Sequence, residues 1–192
     1  MCATCQYAKG HRKSTKGAIH TPNPETDGAI HDGNLRAGNL VSVDHFESRL
    51  KGRTYKSLGG MTSEKYVGGC IFVDSMSSFL HVEHQLGFSS SETIRAKQNF
   101  EKLSLDHGVI VDSYKADNGV FKANQFVTHI RDHNQKLSYC GVNAHHKNGA
   151  AERAIRTVSE CARALMLHAA VHWKEGVTSE LWHMAIAYAV YL

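Results

Sequence analysis

Residues 68–86 read GGCIFVDSMSSFLHVEHQL, two apolar, β-branched runs joined by a few polar residues around positions 75–78. That link is far shorter than the dozen or so residues a parallel crossover needs, so the two strands must form an antiparallel hairpin. Upstream, NLVSVDHFES alternates apolar and polar residues and predicts a strand over 39–47. The polar, glycine-containing stretch 48–67 predicts a long loop. Downstream the pattern changes. SSSETIRAKQNFEKLSLDHG predicts a helix capped by Ser90 or Ser91, with Glu92 in its first turn and Gly108 at its end. VIVDSYKAD predicts a strand that runs up to Asp117, and KANQFVTHIRDHNQ a helix with Phe126, Val127 and Ile130 turned inward. KLSYCGV predicts a short strand, a long helix follows from Asn148 to about His172, and Thr178 or Ser179 caps a last helix. Three consecutive strands imply an antiparallel meander, and the later alternation of helix and strand implies parallel additions to it. The expected fold is α/β, a five-stranded mixed sheet flanked by helices.

Hydrophobic residues make up 42% of the chain and charged residues 21%, which suits a packed domain and excludes a disordered polyelectrolyte. Residues 1–38 lack hydrophobic periodicity and contain both prolines, Pro22 and Pro24, so they predict an irregular N-terminal tail and linker ahead of a domain that starts near Asn39. Lys9, Arg12, Lys13 and Lys16 fall in a stretch without acids. Such a block suits a polyanion such as nucleic acid, and it is equally an ordinary solvated arm. The N-terminus has no apolar run of signal-peptide type, and LWHMAIAYAVYL is too short and too interrupted by His183 to cross a bilayer. A soluble, intracellular protein with no membrane partner is expected.

Cys70, Cys140 and Cys161 lie in apolar segments and predict buried free thiols. Cys2 and Cys5 form a C-x-x-C pair, which supplies two of the four ligands of a tetrahedral zinc site. His11 and His20 have the wrong spacing to complete it, so the pair alone is a weak sign of a metal site.

Three acids stand where α/β folds place their sites. Asp44 lies in the first strand, Asp117 at the end of the fourth, and Glu152 one turn into the long helix. Carboxylate oxygens suit hard divalent cations, and two such ions about 4 Å apart can clamp the attacking and leaving oxygens of a phosphodiester. Each acid also has an ordinary reading. Asp44 can be a solvent-facing strand residue. Asp117 starts an Asp-Asn-Gly turn. Glu152 complements the dipole of a helix capped by Asn148.

DNG at 117–119 is followed by NG-x-x-E-R-x-I-R-T from position 148, with 34 residues between Asp117 and Glu152. This spacing and these motifs resemble the integrase catalytic core of copia-type LTR retrotransposons, with one residue fewer than usual in the loop CGVNAHH. CATCQYAKGHRKS resembles the end of the zinc-binding domain that precedes this core in the family, FVDSMSSF its second and third strands, and SETIRAKQNFE its first helix. The resemblance covers nearly the whole chain. It implies an RNase H-like catalytic core over 39–192, truncated at its C-terminus, preceded over 1–38 by a zinc-domain remnant that lacks its His pair, so that Cys2 and Cys5 are not expected to hold zinc. It also implies that the chain is a piece of a longer polyprotein, from a decayed element.

The resemblance further implies a D,D,E triad at Asp44, Asp117 and Glu152. Two Mg²⁺ or Mn²⁺ ions would be bridged by Asp44 and completed by the other two acids. The implied reactions are 3′-end processing and strand transfer of DNA ends into target DNA, in the nucleus, by a homo-oligomer. Arg156 shares a helix face with Glu152, Arg153 is one position round and Arg163 lies two turns beyond Arg156, so all three are candidate DNA contacts together with Lys147 on the preceding loop and Lys9, Arg12 and Lys13 on the tail. Arg156 can equally pair with Glu160. Two further readings stay open: a catalytically silent DNA-binding fragment, and a cellular RNase H-like nuclease, against which the CATC tract argues.

Overall fold

The computed structural model describes residues 36–54, 63–139 and 148–192. Five strands form one sheet: β1 (Val41–Arg53), β2 (Lys65–Asp74), β3 (Leu80–Gln85), β4 (Ser113–Ala116) and β5 (Lys136–Tyr139). Four helices complete the fold: α1 (Ser90–Asp106), α2 (Asn124–Asp132), α3 (Gly149–His172) and α4 (Trp182–Tyr191). The sheet order is β3-β2-β1-β4-β5. β1–β2 and β2–β3 pair antiparallel, while β1–β4 and β4–β5 pair parallel. This is the meander with parallel additions that the element order predicts.

Alternation along the strands sorts side chains between two apolar layers. Val41, Val43, Cys70 and Phe72 face α1 and α2, where they pack with Ala96, Phe100, Tyr114, Phe126 and Ile130. Phe46, Ile71 and Val73 face α3 and α4 and pack with Ala151, Val158, Ala162 and Ile186. Gly68 and Gly69 sit in mid-strand because a Cβ at Gly68 would meet the Phe46 carbonyl oxygen and the Phe88 ring, and one at Gly69 would meet the Phe46 ring and the Glu83 carbonyl. Phe126 and Ile130 are buried as expected, and Val127 is half-buried. Cys70 is a buried free thiol and Cys161 a half-buried one, and Cys140 lies outside the described residues.

Several boundaries differ from expectation. β1 runs on to Arg53 rather than stopping near 47, because the chain bulges between Glu47 and Gly52 and then rejoins β2. The expected loop over 48–67 is therefore largely strand at both ends, and residues 55–62 lie outside the described residues. β4 spans only Ser113–Ala116: just before it, the Asp112 carboxylate is taken by the Asn39 side-chain amide at 2.5 Å and the Asp112 N–H donates to Gly38 at 2.8 Å. The helix expected over 122–135 is split into a 3₁₀ turn (Val120–Lys122) and α2. β5 is described only to Tyr139.

Ser89, not Ser90 or Ser91, caps α1, accepting the Glu92 N–H at 3.3 Å. Gly108 ends it as expected, with φ +75 and the paired bonds Gly108 N–H to Leu105 and Val109 N–H to Ser104 that define a Schellman turn. Thr178 precedes a 3₁₀ turn (Ser179–Leu181) without a side-chain hydrogen bond, so neither it nor Ser179 caps α4, which starts at Trp182. Among the described residues no helix is long and apolar enough to cross a membrane.

Candidate active site

β1 is the sheet's switch point, antiparallel to β2 on one side and parallel to β4 on the other. The parallel register matches Val41 with Tyr114 and Ser42 with Lys115. Two residues further along each strand stand Asp44 and Asp117, close enough for the Asp117 charge to act on Asp44. Asp44 is half-buried and shares the α3 face of the sheet with Phe46. Its Oδ1 accepts the His45 N–H at 2.8 Å.

Asp117 follows the last residue of β4 and is half-buried. Its Oδ1 accepts the Gly119 N–H at 3.0 Å, the turn bond expected of Asp-Asn-Gly. A Cβ at Gly119 would stand 3.3 and 3.4 Å from the two carboxylate oxygens, so glycine keeps that side of the carboxylate open.

Glu152 is exposed in the first turn of α3. What brings it to the sheet is Asn148. Sequence reasoning made Asn148 an N-cap, and it occupies that position, but its side chain makes no capping bond. Its Nδ2 donates instead to the Val43 carbonyl at 3.1 Å, and the residue is buried. The start of α3 is thereby tied to β1 one residue from Asp44. Glu152, four positions further, lies on the same side of the helix. Local sequence carries no signal for this bond, because it spans 105 positions.

Asp117 and Glu152 both act on Asp44. The Asp44 carboxyl is raised from its ordinary 3.8 to about 6, first by burial and further by the negative charges of Asp117 and Glu152. The His45 N–H and the Asn148 amide oppose the rise. A buried carboxyl under like-charge pressure is a group that a cation would relieve. Asn148 Oδ1 is likewise buried with no hydrogen-bond partner among the described residues. The donors are all oxygen, which suits Mg²⁺ or Mn²⁺. As the side chains stand, however, no three His, Cys, Asp or Glu residues among the described ones are close enough to hold a metal ion. The site is electrostatically coupled but open.

The arginines of α3 are exposed. Arg153 folds back over the helix start, its guanidinium 3.0 Å from where a Cβ on Gly149 would be. Arg156 makes no ion pair with Glu160 among the described residues. Arg163 lies eleven positions beyond Glu152, roughly 16 Å along the helix axis. There it lines a cleft of about 400 Å³ between α3 and the outer half of β1, together with Arg49, Leu50 and Trp182. Lys147, Lys9, Arg12, Lys13, Cys2 and Cys5 lie outside the described residues.

No family model matches the sequence, and no curated protein sequence matches it. Solved structures do. The HTLV-2 integrase catalytic core domain in complex with magnesium superposes in its trimeric form with a TM-score of 0.55 at 18% identity, over 82% of this chain and 85% of that one. Its dimeric form gives 0.55 and 18%, over 82% and 86%. The simian T-cell lymphotropic virus intasome in complex with PP2A regulatory subunit B56 gamma gives 0.57 and 15%, over 80% of this chain and 47% of that one. At these identities the likeness establishes the fold: the five-stranded mixed sheet with flanking helices is the RNase H-like fold of integrase catalytic cores.

Proposed function

We propose that the chain is the catalytic core of a retrotransposon integrase, of the copia type by its motifs, which joins DNA ends to target DNA by metal-dependent phosphoryl transfer. The observation that carries this reading is the placement of the acids at the switch point of an integrase-core fold, Asp44 on β1, Asp117 at the end of the neighbouring β4, and Glu152 on the helix start that Asn148 ties to β1. Asp44 would be the shared ligand of two divalent ions, with Asp117 and Glu152 each completing one. Bound there, the ions supply Lewis acidity to the attacking hydroxyl and to the leaving 3′-oxygen. The His45 N–H holds Asp44 Oδ1 and so fixes the carboxylate that would take the ions. The Gly119 N–H likewise holds Asp117 Oδ1. Arg153 and Arg156, exposed beside Glu152, would hold DNA phosphates near the acids, and Arg163 would touch the duplex further along. Lys147 and the tail residues Lys9, Arg12 and Lys13 would add to the same contact. The partners are element-end and target DNA and further copies of this chain, in the nucleus.

The open arrangement of the acids favours one second reading, a DNA-binding fragment without catalysis. Incubation with a labelled blunt duplex and a plasmid, with Mn²⁺ or Mg²⁺, separates the two. The integrase reading expects labelled 3′-ends joined to plasmid, and no joining by Asp117→Asn. Salt-sensitive binding with no joining under either metal supports the silent fragment. Preferential cleavage of RNA–DNA hybrids contradicts both. In the same binding assay, Arg153→Ala and Arg156→Ala should each flatten the slope of log affinity against log salt by about 0.9 per lost phosphate contact. An unchanged slope removes that arginine from the interface.

A further inference from the structure

We infer that His45 is a positioning residue that clamps the Asp117 turn to the strand carrying Asp44. The inference rests on the reading of these acids as one metal site. Alternation along β1 puts His45 on the opposite sheet face from Asp44, against α1. Its ring stacks on Phe121 with centroids 4.6 Å apart and an interplanar angle of 18°, and it meets the edge of Phe88 at 5.4 Å. Its Nε2 lies 3.3 Å from Thr93 Oγ1. Thr93 Oγ1 donates its own proton to the Ser89 carbonyl at 3.0 Å, so it accepts from His45, and the proton of the neutral ring sits on Nε2.

Phe121 is what makes this contact matter for Asp117. It is fully buried, four positions after Asp117, in the 3₁₀ turn that closes with Lys122 N–H to the Gly119 carbonyl at 3.1 Å. Between Asp117 and Phe121, Asn118 and Gly119 are exposed and Val120 is half-buried. The turn is thus held by Ala116 in β4 at one end and by Phe121 at the other. Phe121 is fixed by the edge of Phe126 at 5.4 Å, by the Tyr139 hydroxyl, which donates to its carbonyl at 3.0 Å, and by His45. Of these three, only His45 belongs to the strand that carries Asp44. Its imidazole therefore sets the spacing between the two acids, one by sequence adjacency and the other through Phe121.

The test is a Mn²⁺ titration by water-proton relaxation on the wild-type chain, His45→Ala and His45→Phe, with amide hydrogen exchange read at residues 118–120. His45→Ala should weaken Mn²⁺ binding by about tenfold, the lower end for loss of a residue that orients a ligand. It should also speed exchange at 118–120 while leaving α3 unchanged. His45→Phe keeps the stack and should restore both readouts. Should His45→Ala not fold, Phe121→Leu keeps an apolar anchor, removes the ring stack, and should reproduce its effects. Unchanged affinity and exchange in His45→Ala, or changes that follow a uniform loosening of the whole core, overturn the clamp. If the wild-type chain binds no Mn²⁺ but exchange at 118–120 still responds to His45→Ala and recovers with Phe, the clamp stands and the metal-site reading falls.

Discussion

Asp44→Asn should stabilise the metal-free protein at pH 7 while cutting phosphoryl transfer by about 10³-fold or more, the scale for losing a group that stabilises transition-state charge. Opposite signs follow from one cause. In the folded chain the Asp44 carboxyl is raised from 3.8 to about 6 by burial and by the charges of Asp117 and Glu152, so at neutral pH it is ionised against that pressure. A shift of that size corresponds to about 3 kcal/mol for a fully enclosed group, and half-burial reduces the expected gain to about 1–2 kcal/mol. Between pH 4 and 6 the folded state holds a proton on Asp44 that the unfolded chain has released. Its contribution is therefore fully present below about pH 4 and is lost as the pH rises through 6. His45 and His84, both lowered to about 4 by burial, act the other way: their contribution is lost as the pH falls from 6.5 towards 4. The difference between wild-type and Asp44→Asn melting curves across this window isolates Asp44. Mg²⁺ should raise the wild-type melting temperature and leave the variant's unchanged. A variant less stable than wild type at pH 7 would mean that the carboxylate is held by favourable contacts rather than strained.

The second large effect lies under the sheet. Lys97 is completely buried in α1, and its Nζ pairs with the Glu101 carboxylate at 2.9 Å. Glu101 also accepts the Tyr114 hydroxyl at 2.7 Å and Gln135 Nε2 at 2.5 Å, and the same Gln135 nitrogen reaches the Val111 carbonyl at 2.9 Å. The ammonium stands 5.5 Å from the centre of the Tyr114 ring. Burial lowers the Lys97 pKa and Glu101 pulls it back up. Glu101→Gln leaves a buried ammonium without its counter-charge and should cost about 3–5 kcal/mol in urea unfolding. Adding Lys97→Met removes the stranded charge and should recover most of the loss. A cost below about 1 kcal/mol for Glu101→Gln alone would show that water reaches Lys97.

That network also explains where the sequence was hard to read. The buried stripe of α1 is Thr93, Ala96, Lys97, Phe100 and Ser104, which has regular helical spacing, but three of its five members are polar. Apolar periodicity therefore gave a weak signal for a well-packed helix. The outer half of β1 was hidden by the polar bulge between Glu47 and Gly52. By contrast, the short hairpin link and the later helix–strand alternation were enough to predict an antiparallel meander with parallel additions, while the order β3-β2-β1-β4-β5 came only with the fold. The acids were legible only as candidates. The turn reading of Asp117 is correct as far as it goes, since Gly119 does bond its carboxylate, and the same residue raises the Asp44 carboxyl. Local pattern cannot separate two roles that one side chain fills together. Asn148 stands at the cap position the sequence predicts, but its side-chain bond to Val43 is made only by the fold.

The central claim is that Asp44, Asp117 and Glu152 form one divalent-cation site. Anomalous diffraction from crystals of this chain soaked in Mn²⁺ tests it most directly. The expected result is a manganese peak in contact with the carboxylates of Asp44 and Asp117, at about 2.1 Å from their oxygens, with the Glu152 side chain drawn in towards it. Manganese found only at surface histidine pairs such as His129–His133 and His168–His172, with no density against Asp44, would contradict it.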